Sequence, residues 1–119
     1  MEDIQKKEGV RALRGGVLYE VLKTGESDLR VQPRSVVTCH YKGMLPNGRV
    51  FDKTEPGGAP AAFRVNELIS GFQIALVNMH PGDIWRVYIP SDMGYGDRGA
   101  GSIPGGSALV FEIELISVM

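Results

Sequence analysis

One stretch of the chain, residues 68–79 (LISGFQIALVNM), repeats its apolar residues at helical spacing. Ser70 followed three residues later by Gln73 indicates a capping box, so a regular helix is expected to begin near Gly71. Pro81-Gly82 ends it. The spacing i, i+3, i+4, i+7 predicts one apolar helix face, formed by Phe72, Ala75, Leu76 and Met79.

The remaining apolar runs alternate with polar residues or are rich in β-branched and aromatic residues, which predicts strands. Pro46-Asn47-Gly48 indicates a hairpin turn, and the long stretch Ser91–Ser107 predicts a glycine-rich loop. Both faces of the predicted strand Asp83–Pro90 are largely apolar, which indicates a central position in the sheet. The predicted strands are Val17–Lys23, Ser35–Lys42, Arg49–Asp52, Ala61–Val65, Asp83–Pro90 and Ala108–Val118. The pattern favours an α+β fold, a mostly antiparallel sheet of five to six strands with one helix on one face.

The length of 119 residues predicts one domain, residues 17–119, after a lead-in over residues 1–16 that is flexible or partly helical. The net charge of −1 shows no excess of positive charge of the kind that binds nucleic acid or an anionic membrane surface. A single cysteine, Cys39, forms no internal disulfide. Neither a signal peptide nor a membrane-spanning run is found, so we expect a cytoplasmic protein, although an exported protein without its leader has the same sequence features.

Motifs for nucleotide, metal or nucleophilic chemistry have little support. Residues 94–99 match G-x-G-x-x-G, but glycines and Pro104 follow instead of a helix. No carboxylate stands at ligand spacing from His40 or His80, so no metal site is predicted. Cys39 and His40 are neighbours in a predicted strand and therefore point to opposite faces, which disfavours a Cys–His nucleophile.

Aromatic residues are the remaining candidates for a site, although core packing is the commoner role for any one of them. Asp52 directly follows Phe51 in a run that heads into the core, and Tyr95 lies inside the glycine-rich loop. These two details indicate an apolar pocket with one carboxylate and one phenol. The aromatic candidates are Tyr41, Phe51, Phe63, Phe72, Trp85, Tyr95 and Phe111.

Several linked motifs between Gly16 and Val118 resemble, in order and spacing, those of the FKBP-type peptidyl-prolyl isomerases. The first is similar to the family's V-x-x-H/x-Y-x-G-x-L-x-x-G-x-x-F-D, the second to its V-I-x-G-W/F helix with the M-x-x-G turn, and the third to I-P-x-x-x-A/G-Y-G. In this chain they read Val37–Asp52 (VTCHYKGMLPNGRVFD), Leu68–Gly82, Tyr88–Gly96 (YIPSDMGYG), and Ile103-Pro104 with the closing strand Leu109–Leu115. Trp85 and Lys6–Val10 resemble the Mip-like branch.

The resemblance implies a twisted antiparallel sheet wrapped around a short helix, with an apolar hollow between them as the site. It implies peptidyl-prolyl cis-trans isomerase activity without cofactor or metal. Phe72 is the implied floor, and Tyr95 O–H and Ile103 N–H are the implied hydrogen-bond donors. The implied catalytic residues are Tyr41, Phe51, Asp52, Phe72, Tyr95 and Phe111. The implied substrate- or inhibitor-binding residues are Phe63, Leu68, Ile69, Ile103, Ala61 and Ser102.

The partners implied are proline-containing peptides and proteins, and macrolide immunosuppressants such as tacrolimus and rapamycin. A monomer is expected, because residues 1–16 are shorter than the N-terminal dimerisation segment of the Mip-like branch. Ala61 and Ser102 depart from the family pattern, in which an aromatic and an apolar residue are frequent there. This departure leaves open the alternative of a non-catalytic binding or chaperone module. A carrier of small apolar ligands that uses the same hollow is a third hypothesis.

Overall fold

A computed structural model describes residues 9–55 and 57–119. The described chain forms one seven-stranded sheet, a single two-turn α-helix and three short 3-10 turns. The strands are β1 (Val10–Ala12), β2 (Leu18–Lys23), β3 (Val36–Met44), β4 (Val50–Lys53), β5 (Ala61–Arg64), β6 (Ile84–Ile89) and β7 (Leu109–Val118). The helix, α1, is Ser70–Leu76, and the 3-10 turns are Arg14–Gly16, Val65–Glu67 and Ser91–Met93.

All strand pairs are antiparallel, and the order across the sheet is β1-β2-β6-β7-β3-β4. β5 pairs with the same edge of β3 as β4 does, but with the first half of that strand. The predicted α+β class with a mostly antiparallel sheet and one helix is therefore confirmed. β6 lies between β2 and β7, as its apolar residues on both faces predicted. The strand count is larger than predicted because a short strand precedes β2.

That additional strand lies in the predicted lead-in. Arg11 of β1 is paired with Tyr19 of β2, and Leu13 packs against the core, so the sheet begins before the predicted boundary at residue 17. A charged stretch with few apolar residues hid this edge strand, because backbone hydrogen bonds rather than side-chain burial hold it. Residues 1–8, the rest of the lead-in, lie outside the described residues.

The helix packs closely against the sheet. All four residues of its predicted apolar face are buried, but α1 ends at Leu76, before the predicted stop at Pro81-Gly82, so Met79 lies beyond the helix. At Gly71 an added Cβ would lie 2.8 Å from Cγ1 of Ile89 on β6. The predicted capping box is wrong: α1 begins at Ser70, and Ile69 at the N-cap position makes no side-chain cap. The Gln73 side-chain amide instead donates to the Leu68 carbonyl at 2.5 Å, so it ties the helix to the preceding turn.

Asp83 is a buried polar residue that joins two loops. Its carboxylate accepts the backbone N–H of Gly25 at 2.7 Å and that of His80 at 2.9 Å. Both hydrogen bonds are needed, since a buried carboxylate without partners is costly. Among residues 9–55 and 57–119, no helix has the length and apolar content that crossing a membrane requires.

Candidate functional site

An apolar cavity of about 270 Å³ opens between the sheet and the N-terminal end of α1. Strands β3, β4, β5 and β7, the 3-10 turn before the helix, the helix and the glycine-rich loop each contribute to its wall. This volume lies near the lower end for small-molecule sites, so it suits one small ring with its attached amide. The lining residues are Tyr41, Phe51, Asp52, Phe63, Glu67, Leu68, Ile69, Phe72, Tyr95 and Phe111.

Five of the six aromatic rings that line this pocket pack against one another. Phe72 of α1 meets Phe111 of β7 edge to face at a centroid distance of 5.1 Å, and Phe111 meets Phe51 at 5.6 Å. Tyr41 lies 5.6 Å from Phe63 and 6.1 Å from Phe72. Tilted and edge-to-face pairs at these distances stabilise one another, so the rings are held in place before any ligand binds.

A β-bulge places two consecutive residues in the same pocket. Gly43 of β3 is paired with Asp52 of β4, but the next residue, Met44, is paired with Val50, so Phe51 has no partner on β3. In a regular strand, consecutive side chains point to opposite faces. The extra residue of a bulge re-aims a side chain, which explains how Phe51 and Asp52 both line the cavity.

Tyr41 holds the Asp52 carboxylate at the rim. Its O–H donates to Oδ2 of Asp52 at 2.7 Å. Burial raises the pKa of the Tyr41 phenol above its ordinary value of 10.0, and the hydrogen bond to the negative Asp52 raises it further. The phenol is therefore protonated at neutral pH and keeps one carboxylate oxygen fixed, while Oδ1 faces no hydrogen-bond donor of the described chain.

The structure brings nine of the twelve predicted residues to this cavity and leaves out Ala61, Ser102 and Ile103. Ala61 pairs with Cys39 further along β5, and Ser102 is exposed on the glycine-rich loop. Ile103 is buried in the core. The catalytic or binding roles of all twelve residues stay predictions.

The predicted backbone donor, Ile103 N–H, is already engaged. It donates to the Ala100 carbonyl at 2.8 Å, and the Ala100 N–H donates back to the Ile103 carbonyl at 3.0 Å. This two-way bridge closes the tip of the glycine-rich loop. Ile69 is a better donor candidate, since it lines the pocket and its backbone N–H has no acceptor among the described residues. Helix N-termini leave such N–H groups free.

Glu67 lines the pocket and was not predicted. It ends the 3-10 turn Val65–Glu67, where neither helical nor strand periodicity applies. The one signal in the sequence was its position directly before Leu68, the first residue of the predicted pocket segment.

A larger cavity, of about 400 Å³, lies across the sheet from the aromatic pocket. Its lining has two lysines, two glutamates and one histidine, but its only ring besides that histidine belongs to Tyr41. Side chains of both charges lie around this larger hollow, and it lacks the packed aromatic rings of the other pocket. The aromatic pocket is therefore the candidate site despite its smaller volume. The larger cavity is lined by His40, Tyr41, Lys42, Lys53, Thr54, Gly57, Ile84, Glu112 and Glu114.

Comparison with known proteins agrees with this fold. The profile of the FKBP-type peptidyl-prolyl cis-trans isomerase family matches residues 27–116. The peptidyl-prolyl cis-trans isomerase Mip of Coxiella burnetii is 41% identical over 96% of this chain and 50% of its own length. The outer membrane protein MIP of Legionella longbeachae is 38% identical over 96% of this chain and 49% of its own length. The chain thus spans about half the length of these curated relatives.

A solved structure extends the agreement to three dimensions. The peptidyl-prolyl cis-trans isomerase from Pseudomonas syringae pv. tomato superimposes with a TM-score of 0.92, at 41% identity, over 98% of this chain and 86% of that chain. The family profile covers most of the described sheet and the whole helix. The chain is therefore a member of the FKBP-type peptidyl-prolyl cis-trans isomerase family, in its Mip-like branch.

Proposed function

We propose that this chain is a peptidyl-prolyl cis-trans isomerase that accelerates rotation about X-Pro bonds by binding the twisted imide in the aromatic pocket. The observation that carries the proposal is a pre-formed cavity of about 270 Å³ walled by five packed rings and rimmed by one held carboxylate. The relatives' names support it, since both the Coxiella and the Pseudomonas proteins are named as isomerases of this kind.

The chemistry depends on the electronic difference between a planar and a rotated imide. Rotation about an X-Pro bond has a barrier of about 20 kcal/mol, because the twisted state loses amide resonance. Each tenfold acceleration requires about 1.4 kcal/mol of preferential binding to that twisted state. The planar imide is the more dipolar of the two, so a dry aromatic pocket disfavours it relative to the transition state.

Two hydrogen-bond donors hold the substrate while its imide rotates. The Tyr95 O–H is one, since Tyr95 lines the pocket. The Ile69 N–H is the other, in place of the Ile103 N–H, which donates to the Ala100 carbonyl. Two fixed donors restrict the substrate to a productive orientation, which is how positioning lowers a barrier. No step requires a nucleophile, a cofactor or a metal.

The test is isomerisation of a short proline peptide, followed with a coupled protease that cleaves only the trans form. Tyr95→Phe should lower kcat/KM about fivefold, the usual effect of removing one neutral hydrogen bond. Tyr19→Phe is the matched control, because it removes a phenol hydroxyl from a ring that stacks on Trp85. Turnover that is equal in wild type and Tyr95→Phe removes Tyr95 from the mechanism. If the wild-type chain does not turn over the peptide, the proposed activity is refuted.

We also propose that macrolides such as tacrolimus and rapamycin bind the same pocket. A macrolide is much larger than the cavity, so only one ring and its amide are expected to enter, with the remainder lying over the rim. Asp52→Val should weaken binding, since the carboxylate that Tyr41 holds is a polar group of that rim. Calorimetry measures the affinity, and an unchanged dissociation constant excludes Asp52 from the contact.

The alternative of a non-catalytic binding module rested on the altered residues Ala61 and Ser102. Neither lines the cavity, so the feature that favoured this alternative is absent from the pocket wall. The peptide assay separates the isomerase from both this module and an apolar-ligand carrier.

We further infer that the chain is a monomer, and its cytoplasmic location stays a prediction. The name of the Legionella relative places that protein at the outer membrane, which favours the alternative of an exported protein. Sedimentation of the purified chain tests the monomer, and fractionation of the source cells tests the location.

A further inference from the structure

The pocket concentrates negative charge on a nearly neutral chain. Two of the ten lining residues, Asp52 and Glu67, are acidic, and no lysine or arginine lines the wall. The whole chain has a net charge of only −1. A cleft lined by one sign of charge focuses its field on whatever enters, so these two carboxylates act together on a bound peptide.

The Asp52 charge is available to a ligand. Tyr41 occupies Oδ2, and within the described chain no cationic group lies in salt-bridge range of this carboxylate. The tyrosine contributes a dipole but no positive charge, so the carboxylate is oriented and not neutralised.

The Glu67 charge is only weakly compensated. Its Oε1 lies 3.9 Å from Nε of Arg64, which is beyond hydrogen-bond distance. The two side chains are 73% and 51% exposed, so water screens the pair. The Arg64 guanidinium also donates to the Arg34 carbonyl at 3.2 Å, which anchors it to the segment just before β3.

We propose that Asp52 and Glu67 make this pocket prefer peptides with a basic residue before the proline to peptides with an acidic residue at that position. This inference rests on the proposed isomerase function. When the proline ring occupies the aromatic floor, the preceding side chain must lie at the rim, where both carboxylates stand. A lysine or arginine there gains two favourable interactions, and a glutamate meets two repulsions. An uncharged neighbour such as leucine responds to neither.

The test compares four peptides that differ only in the residue before proline: lysine, glutamine, glutamate and leucine. NMR exchange measurements give kcat/KM for each without a coupling protease. We expect a lysine-to-glutamate ratio of about tenfold, because one exposed ion pair changes a rate by at most about fivefold and two carboxylates contribute. Glutamine is the uncharged reference of similar length, and 0.5 M salt should reduce the ratio by screening.

Glu67→Gln should lower the lysine-to-glutamate ratio to about threefold. Glu114→Gln is the matched control, since it removes the same charge from the opposite face of the sheet, outside the pocket. A ratio near one in wild type, or one that Glu67→Gln and Glu114→Gln lower equally, overturns the inference.

The leucine peptide reports on the isomerase function by itself. If it is turned over while lysine and glutamate peptides are turned over equally, the function stands and the inference fails. If no peptide is turned over, the function fails, and calorimetric dissociation constants for the lysine and glutamate peptides still decide the inference.

Discussion

Gly43 is the position at which one methyl group should disturb the pocket most. It lies on β3 between two pocket rings, and an added Cβ would be 2.7 Å from Cε1 of Phe111 and 2.8 Å from Cζ of Phe51. Carbon atoms pack at about 3.5–4.0 Å, so Gly43→Ala must displace these rings by about 1 Å. The backbone itself accepts alanine, since Gly43 is not among the glycines with positive φ.

The cost of Gly43→Ala follows from two opposing effects. Overpacking a well-packed site costs about 1–3 kcal/mol. Replacing glycine with alanine lowers the entropy of the unfolded chain, which returns about 0.4–1 kcal/mol. We therefore expect a net loss of about 1–2 kcal/mol in the free energy of unfolding. A displacement of about 1 Å in a binding site can lower the rate up to about 100-fold, so kcat/KM should fall by at least about tenfold.

The assay pairs urea unfolding with turnover of a leucine-proline peptide at a temperature where each variant is folded. Gly25→Ala is the matched control, because its Cβ would lie 2.7 Å from Cα of Gly82, in loops away from the pocket rings. It should lower stability and leave kcat/KM at the wild-type value. Wild-type turnover by folded Gly43→Ala would refute the argument that these rings bind the substrate, and wild-type stability would refute the packing argument.

Three further predictions concern charge and hydrogen bonding. Asp83→Ala should lower the free energy of unfolding by about 3 kcal/mol, because two loop N–H groups lose a buried carboxylate. Urea denaturation measures the loss, with Asp92→Ala at an exposed position as the control. Equal losses in the two variants contradict the role of the buried carboxylate. Burial raises the pKa of the Cys39 thiol from 9.0 to about 12, so its stabilising contribution is complete below pH 9 and is lost as the pH rises to 12. Urea unfolding of wild type should therefore lose about 1.4 kcal/mol per pH unit more than Cys39→Ala over that interval, and parallel curves contradict it. Tyr41→Phe releases Asp52 and should lower kcat/KM about fivefold with less than about 1 kcal/mol change in stability; unchanged turnover shows that the held carboxylate does not matter.

Local periodicity predicted the parts of the fold whose burial depends on nearby residues. Phe72, Ala75 and Leu76 of the helix are buried as their spacing required, although the helix ends before Met79. Val37 and Cys39 of β3 point into the core as their alternation required. The order of motifs along the chain likewise predicted the family that the comparisons confirmed. These features are readable because side-chain direction repeats every 3.6 or 2 residues.

Contacts between distant segments decided the rest, because they depend on strand register and loop closure rather than on local period. The bulge at Phe51 brings that ring and Asp52 to one pocket, against the alternation of a regular strand. The Ile103 N–H is taken by Ala100 only because the loop folds back on itself. Glu67 reaches the pocket because a 3-10 turn redirects the chain before α1. The sequence alone thus determined which residues are apolar and which share a face, and only the tertiary structure decided which of them meet.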